Sequence, residues 1–337
     1  MSSTQVAQLV QREISEAQER VYAIASRTPI IQSEICSDGA LSLKLEHVQP
    51  TGSFKIRGAT NALLSLDKRQ QELGVVCCST GNHGRALAYA AGTMGIPITV
   101  CLSTLVPPNK VSLVRASGAD IIQKGNSQDD ALEVAIEFAG TTGAKLIPPF
   151  DDPLVIGGQG TIGLEIIEQM PTLETLLIPL SGGGLAGGVA AAIKNKMPHV
   201  RIIGLSMDRG AAMYESLHEG APVSVPEYSS LADSLGGGIG LNNQYTLSLC
   251  RQYLDEVVLV TEEEIYEGMR ALYWQDLLVA EGACAVGVAA ILAGKVKLTG
   301  PTLSIITGRN VDPTLFSKVI AGSAVDLDGV CIGGTSP

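Results

Sequence analysis

Short runs of β-branched and aliphatic residues alternate with helix-spaced patterns along most of the chain. No other feature constrains the fold as much. The strand-like runs are Gly74–Cys78, Ile96–Leu102, Asp120–Gln123, Thr175–Leu180, Val200–Ser206, Glu256–Val260 and Thr302–Thr307. Two of the intervening helical patterns open on capping boxes, Ser127-Gln-Asp-Asp130 and Thr261-Glu-Glu-Glu264. Alternation of this kind builds βαβ units and largely parallel sheets, so the expected fold class is α/β. Residues 74–123 repeat strand–helix–strand at tight spacing, which suits a small α/β unit inserted in a larger one.

Composition narrows the function. Hydrophobic residues make up 45% and charged residues 17%, enough apolar material for a sizeable core and too little charge for disorder. A net charge of −11 with no Lys/Arg-rich block argues against nucleic acid and anionic membranes as partners. The apolar run Ala283–Gly294, bounded by Glu281 and Lys295, is too short to span a bilayer and reads as a buried helix. The N-terminus lacks the basic start and apolar stretch of a signal peptide. Seven cysteines without a CxxC pair read as reduced core thiols, and the four histidines show no metal-ligand spacing. A soluble cytoplasmic protein without a metal is the expectation.

Three segments carry chemistry. In Pro50-Thr-Gly-Ser-Phe-Lys-Ile-Arg57, Ser53 is the expected N-cap of a helix whose repeat runs through Ile56, Ala59 or Thr60, and Leu63. Lys55 then falls in the first turn, where the helix dipole and the flanking Phe54 and Ile56 lower an ammonium pKa. A lysine made neutral at working pH can form a Schiff base. On this segment alone, a solvated surface lysine is the plainer reading. Ser79-Thr-Gly-Asn-His-Gly84 links a strand to a helix expected over Arg85–Met94. It reads equally as an anion cradle or as an ordinary βα turn with Asn82 left-handed.

The third segment, Ser181-Gly-Gly-Gly-Leu-Ala-Gly-Gly188, follows a strand and opens a helix expected over Val189–Lys194. Three consecutive glycines point to backbone N–H groups that must reach a phosphate. Gly182, Gly184 and Gly187 also satisfy GxGxxG, with Asp208 ending the next strand, so an NAD-dependent oxidoreductase is a competing reading. Two further spots are Glu281, alone a helix-start acid, and Ile305-Ile-Thr-Gly-Arg-Asn310, where Thr307 alone reads as a cap for the next element.

Taken in order, from Leu45 to Asp312, these segments resemble the fold-type II pyridoxal-phosphate enzymes, in particular the serine/threonine dehydratase and serine racemase group. The resemblance implies two parallel-sheet α/β domains of the tryptophan synthase β-like architecture. Residues 1–73 and 152–337 would form a large cofactor-binding domain, and residues 74–151 a small inserted one. It implies pyridoxal 5′-phosphate as cofactor and a homodimer as assembly. Lys55 is the implied Schiff-base lysine, with Phe54 beside the cofactor. Ser79, Thr80, Gly81, Asn82 and His83 would hold the substrate carboxylate, and Asn82 would also touch the cofactor's 3-oxygen. Ser181, Gly182, Gly183, Gly184 and Leu185 form the implied phosphate cup. Glu281 is the family's buried acid, and Thr307 faces the pyridine nitrogen. Thr80 is a second implied catalytic residue, standing where some relatives use a serine to reprotonate Cα.

The implied reaction is β-elimination from a small-molecule β-hydroxy amino acid. A finer resemblance, in Leu231-Ala-Asp-Ser-Leu-Gly-Gly-Gly-Ile-Gly-Leu-Asn242, points to the hydroxyectoine-utilisation dehydratases, with Ser234 where the main dehydratase pattern has glycine. The alternatives are a catabolic L-threonine/L-serine dehydratase, a serine racemase-like enzyme, and a ligand-binding protein that has kept a dead fold. Three departures from the family pattern stand out. Ser206 and Ala212 replace acids of metal-binding relatives, so no metal is expected. Arg309 replaces a glycine beside Thr307. The chain ends at Pro337, so the regulatory domain of biosynthetic threonine dehydratases, and feedback by isoleucine, are not expected.

Overall fold

The computed structural model describes residues 1–36, 39–79, 81–106 and 108–334. Its strands, in chain order, begin with β1 (Ile30–Gln32), β2 (Leu41–Leu45), β3 (Val75–Cys77), β4 (Ile98–Leu102), β5 (Asp120–Gln123) and β6 (Lys145–Leu146). The later strands are β7 (Thr175–Pro179), β8 (Arg201–Met207), β9 (Glu256–Val260), β10 (Thr302–Ile306), β11 (Val325–Leu327) and β12 (Val330–Ile332). One sheet has the order β1-β2-β10-β7-β8-β9 and is parallel except for β1. A second, β5-β4-β3-β6, is parallel throughout, and β11 pairs with β12 as a hairpin. All seven strand runs read from the sequence are strands, with ends within two residues, and both capping boxes form.

Six helices frame the cavity and its supports: α1 (Ser3–Val21), α2 (Lys55–Leu64), α3 (Asn82–Met94), α4 (Pro153–Gln169), α5 (Gly184–Lys196) and α6 (Gly282–Leu292). Helix α6 is apolar on every side and buries residues 282–290, as a helix does when neighbours cover it completely. It anchors a core that includes Leu43, Leu177, Ile203 and Ile306 from four strands of the larger sheet. The seven cysteines are all free, and five are buried.

Three local expectations need correction. Helix α5 begins at Gly184, not Val189, because the glycines are its first turns. Gly188 lies so close to α4 that a Cβ there would sit 2.4 Å from Ile156 O, so the helix pairing itself requires glycine. Ser53 is not an N-cap. Phe54 takes that position in helical geometry without a side-chain bond, while Ser53 bridges to Gly308 and is fully buried. Helix α3 begins at Asn82, three residues earlier than expected, and Asn82 is helical rather than left-handed.

Under α2 lies a closed ionic cluster. Arg57 Nη2 donates to Glu46 Oε1 at 2.7 Å and Arg57 Nη1 to Glu165 Oε1 at 2.6 Å, while Lys44 Nζ donates to Glu165 Oε2 at 2.5 Å. All four side chains are at most 1% exposed. Two cations and two anions cancel, and Thr28, Tyr22, Gln49 and Thr161 supply further hydrogen bonds. The cluster ties α2 to β2 and α4, and so fixes where the first residue of α2 points.

Candidate active site

The segments that follow β3, β6, β7 and β10 converge with the start of α2 on a cavity of about 240 Å³. Open parallel sheets place ligand sites at the carboxyl ends of their strands. Lys55, the first residue of α2, projects into this cavity. Its Nζ donates to Pro149 O at 2.9 Å and lies 5.3 Å from the centre of the Phe54 ring. Burial lowers its pKa to about 8, with Glu281 pulling the other way. The solvated-lysine reading is therefore set aside.

Ser79, Gly81, Asn82 and His83 line the cavity on the β3 side. A Cβ at Gly81 would meet no atom within 4 Å, so the loop leaves open space there. Gly84 is required by packing, since its Cβ would fall 2.0 Å from Ser79 O. His83 turns its ring inward, with Nε2 3.0 Å from Ile147 O, and burial pushes its pKa down to about 3. A neutral ring bound to backbone leaves His83 only its main-chain N–H to offer a carboxylate. Thr80 lies outside the described residues.

Opposite, Asn82 Nδ2 donates to both oxygens of Glu281, at 2.9 and 3.2 Å. The same carboxyl accepts from Asn310 N at 3.1 Å and Ser234 Oγ at 3.4 Å. Burial raises the Glu281 pKa to about 7, reinforced by Asp233, against the hydrogen bonds from Asn82, Asn310 and Ser234. Asn310 Nδ2 closes the network on Asn82 Oδ1 at 2.5 Å and on Thr51 O at 3.0 Å. Thr307 is 3% exposed at the end of β10, and its carbonyl accepts from Phe54 N at 3.0 Å. That bond fixes the start of α2 relative to β10. Arg309, by contrast, is exposed and outside the cavity lining.

Ser181, Gly182, Gly183, Gly184 and Leu185 also line the cavity. The first N–H groups of a helix have no intrahelical partner, and α5 presents its first turn here. Gly183 is left-handed, with φ 85°, and a Cβ there would meet Met213, Cys250 and Thr246 within 3.0 Å. Gly182 and Gly184 press on Phe150. The glycine run thus serves packing as well as any bound phosphate, which the motif alone does not reveal. A side-chain-free cradle of N–H groups, a lysine of lowered pKa and a buried hydroxyl across from it suit pyridoxal 5′-phosphate. The space is small for a dinucleotide, which disfavours the NAD reading. Among the described residues, no group of three or more His, Cys, Asp and Glu is placed to hold a metal, and no helix is long and apolar enough to cross a membrane.

Sequence reasoning passed over Pro149, Phe150, Gln159, Ser234 as a cavity residue, and Asn310 as a partner of Asn82. Asn310 had a signal, since it closes the segment that carries Thr307. Gln159 and Phe150 had none.

Comparison with known proteins agrees with this geometry. Residues 22–308 match the family of pyridoxal-phosphate dependent enzymes. A Sinorhizobium fredii relative, whose threonine dehydratase name is itself provisional, is 52% identical over 92% of this chain and 94% of its own. The L-threonine ammonia-lyase of Thermotoga maritima is 40% identical over 91% of this chain and 77% of its own. Among solved structures, maize serine racemase superposes with a TM-score of 0.84 at 34% identity, over 92% of this chain and 96% of that one. The chain belongs to the pyridoxal-phosphate dependent enzymes, within the serine/threonine dehydratase group, and is a lyase.

Proposed function

We propose that this enzyme dehydrates a small β-hydroxy amino acid and releases ammonia and a 2-oxo acid. The observation that carries the reading is Lys55, which enters the cavity between an N–H cradle and a hydroxyl, with its pKa brought down to about 8. Pyridoxal 5′-phosphate, when bound, supplies the sink for the electrons left at the substrate's Cα. Gly182, Gly183, Gly184 and Leu185 hold its phosphate through their N–H groups, aided by the positive end of α5. Ser79, Gly81 and Asn82 hold the substrate carboxylate, which aligns the Cα–H bond. The Lys55 amine takes the Cα proton, and its lowered pKa makes it an effective base near neutrality. Thr307 offers a hydroxyl rather than a carboxylate to the ring nitrogen. That choice keeps the sink shallow and favours prompt loss of a β-hydroxyl over transamination.

The finer reading is a hydroxyectoine-derived β-hydroxy amino acid as substrate. It is supported by Ser234, Leu235 and Gly236 at the cavity wall, although Gly237 and Gly238 of the same segment lie outside the lining. We read the enzyme as cytoplasmic from its N-terminal and cysteine pattern, and as homodimeric from the family resemblance. Two measurements test the function: the visible absorbance of the purified protein, and ammonia release from L-threonine, L-serine, 3-hydroxyaspartate and opened hydroxyectoine. Absence of both absorbance and ammonia sinks the dehydratase reading. The highest kcat/KM on L-threonine removes the hydroxyectoine part and leaves a catabolic threonine dehydratase.

A further inference from the structure

Gln159 belongs neither to the phosphate cup nor to the carboxylate cradle. It sits in α4, lines the cavity, is 1% exposed, and its Oε1 is buried without a hydrogen-bond partner among the described residues. Buried amides are normally satisfied, so a native orphan calls for a functional explanation. Its place is set by a close helix crossing. A Cβ at Gly158 would lie 2.6 Å from Arg57 O and from Gly58 Cα, so α4 and α2 meet backbone to backbone. A Cβ at Gly58 would in turn lie 2.4 Å from Gln159 Nε2. The amide therefore fills the space that a side chain at position 58 would take.

Residues three apart on a helix share a face, with Cβ positions about 5–6 Å apart. Lys55 and Gly58 are such a pair, which puts the amide one turn along the face that carries Lys55. A charged lysine has three N–H donors, and the hydrogen bond made by Lys55 goes to Pro149 O. The ionisable groups facing Lys55 are Glu281 across the cavity and His83 on α3. Among the described residues, an acceptor without a donor and an amine bonded only to one carbonyl thus line the same cavity.

We propose that Gln159 is a positioning residue for Lys55, accepting a hydrogen bond from its amine when an incoming substrate releases that amine to face Cα. Pro149 O and Gln159 Oε1 are the two resting points between which the amine moves. The proposal rests on Lys55 being the cofactor lysine.

The test uses the full chain freed of cofactor, acetic anhydride as the probe, and peptide mass spectrometry to follow Lys55, with exposed Lys68 as internal control. Gln159→Glu places an anion beside the amine. It should slow acetylation of Lys55 at pH 7, below its midpoint, about tenfold, the factor for one pKa unit, and leave Lys68 unchanged. Equal rates at Lys55 in variant and parent, with a similar Tm, overturn the proposal. If Gln159→Glu does not fold, Gln159→Met decides: kcat should fall about tenfold with KM and cofactor affinity within about twofold. A kcat within about twofold of the parent overturns the proposal there too. Borohydride reduction of the loaded parent shows separately which lysine holds the cofactor. A lysine other than Lys55 would sink the functional reading, while the acetylation result would still report whether Gln159 reaches Lys55.

Discussion

Helix α2 carries two ionisable clusters, and they are built on opposite plans. Below it, Arg57, Lys44, Glu46 and Glu165 are neutral in sum and heavily cross-bonded. At its tip, Lys55 and Glu281 sit in one cavity with pKa values moved toward each other, to about 8 and about 7. Glu165 accepts from Tyr22 Oη, Thr28 N, Lys44 Nζ and Arg57 Nη1. Gln159 Oε1, in the lining of the same cavity as Lys55, has no hydrogen-bond partner among the described residues. The fully buried cluster is a scaffold in which each charge meets an opposite charge. Lys55, half-buried at the cavity wall, instead bonds a backbone carbonyl and leaves its amine open to a ligand. Strongly shifted ionisable groups in a cleft mark function, while closed ion clusters mark support.

The comparison breaks most visibly at Lys55. Lys55→Met should cut turnover at least about 10³-fold, since the group that attacks and abstracts is gone. It should also remove the visible absorbance. The cofactor-free variant should be no less stable than the parent at pH 7. A lysine whose folded pKa is about 8 against 10.5 unfolded costs stability below pH 8, and that cost fades only as pH rises toward 10.5. Substantial residual turnover, or a clear loss of Tm in the cofactor-free state, would place Lys55 with the scaffold.

Arg57→Met tests the other cluster. It leaves two carboxylates facing one ammonium in a dry site, and breaking such a cluster costs about 3–5 kcal/mol. Urea unfolding should show that loss, and cofactor affinity should fall only in step with it. A loss under about 1 kcal/mol would mean that the cluster relaxes or takes up protons instead.

The tip of α2 was legible in the sequence, and its support was not. Lys55, Asn82, the glycine cup, Glu281 and Thr307 each stand at an end of a strand or helix inside a short motif. It was the order of those motifs, matched to a known family, that picked them out. Singly, Lys55, Glu281 and Thr307 read as a surface lysine, a helix-start acid and a cap. The cluster below joins Arg57 to Glu165, which is 108 residues away, and Lys44 to Glu165, 121 residues away. No local pattern announces such pairings. Strand β2 escaped for the same reason, since Lys44 in Leu41–Leu45 reads as solvent-facing until Glu165 is in place. The glycines misled in the opposite direction. Gly182 and Gly183 spoke for a ligand, and each is also demanded by packing.

Glu281→Gln sharpens the contrast through pH. A carboxyl at about 7 in the fold and 4.5 unfolded binds its proton more tightly when folded. The parent should therefore lose stability as pH rises from 4.5 to 7, and level off above. The full effect is on the order of 3 kcal/mol. The glutamine variant lacks this slope, so variant minus parent stability, measured by urea unfolding without cofactor, should be larger at pH 8 than at pH 5. A difference independent of pH would show Glu281 ionised in the fold.

The smallest expected effect belongs to Thr307. The residue is 3% exposed at the cavity wall. Thr307→Val keeps the branched shape and removes one polar atom. If the hydroxyl were structural, like those of Thr28 and Thr161 in the cluster below, its loss would destabilise the protein without cofactor. If it is kept for the ring nitrogen, the cofactor-free protein should be unchanged within about 0.5 kcal/mol. Cofactor affinity should then weaken by roughly five- to tenfold, the worth of one hydrogen bond near 1 kcal/mol. Equilibrium dialysis of pyridoxal 5′-phosphate against parent and variant, beside urea unfolding of both, separates the two. Destabilisation with unchanged affinity would move Thr307 from the open cluster to the closed one.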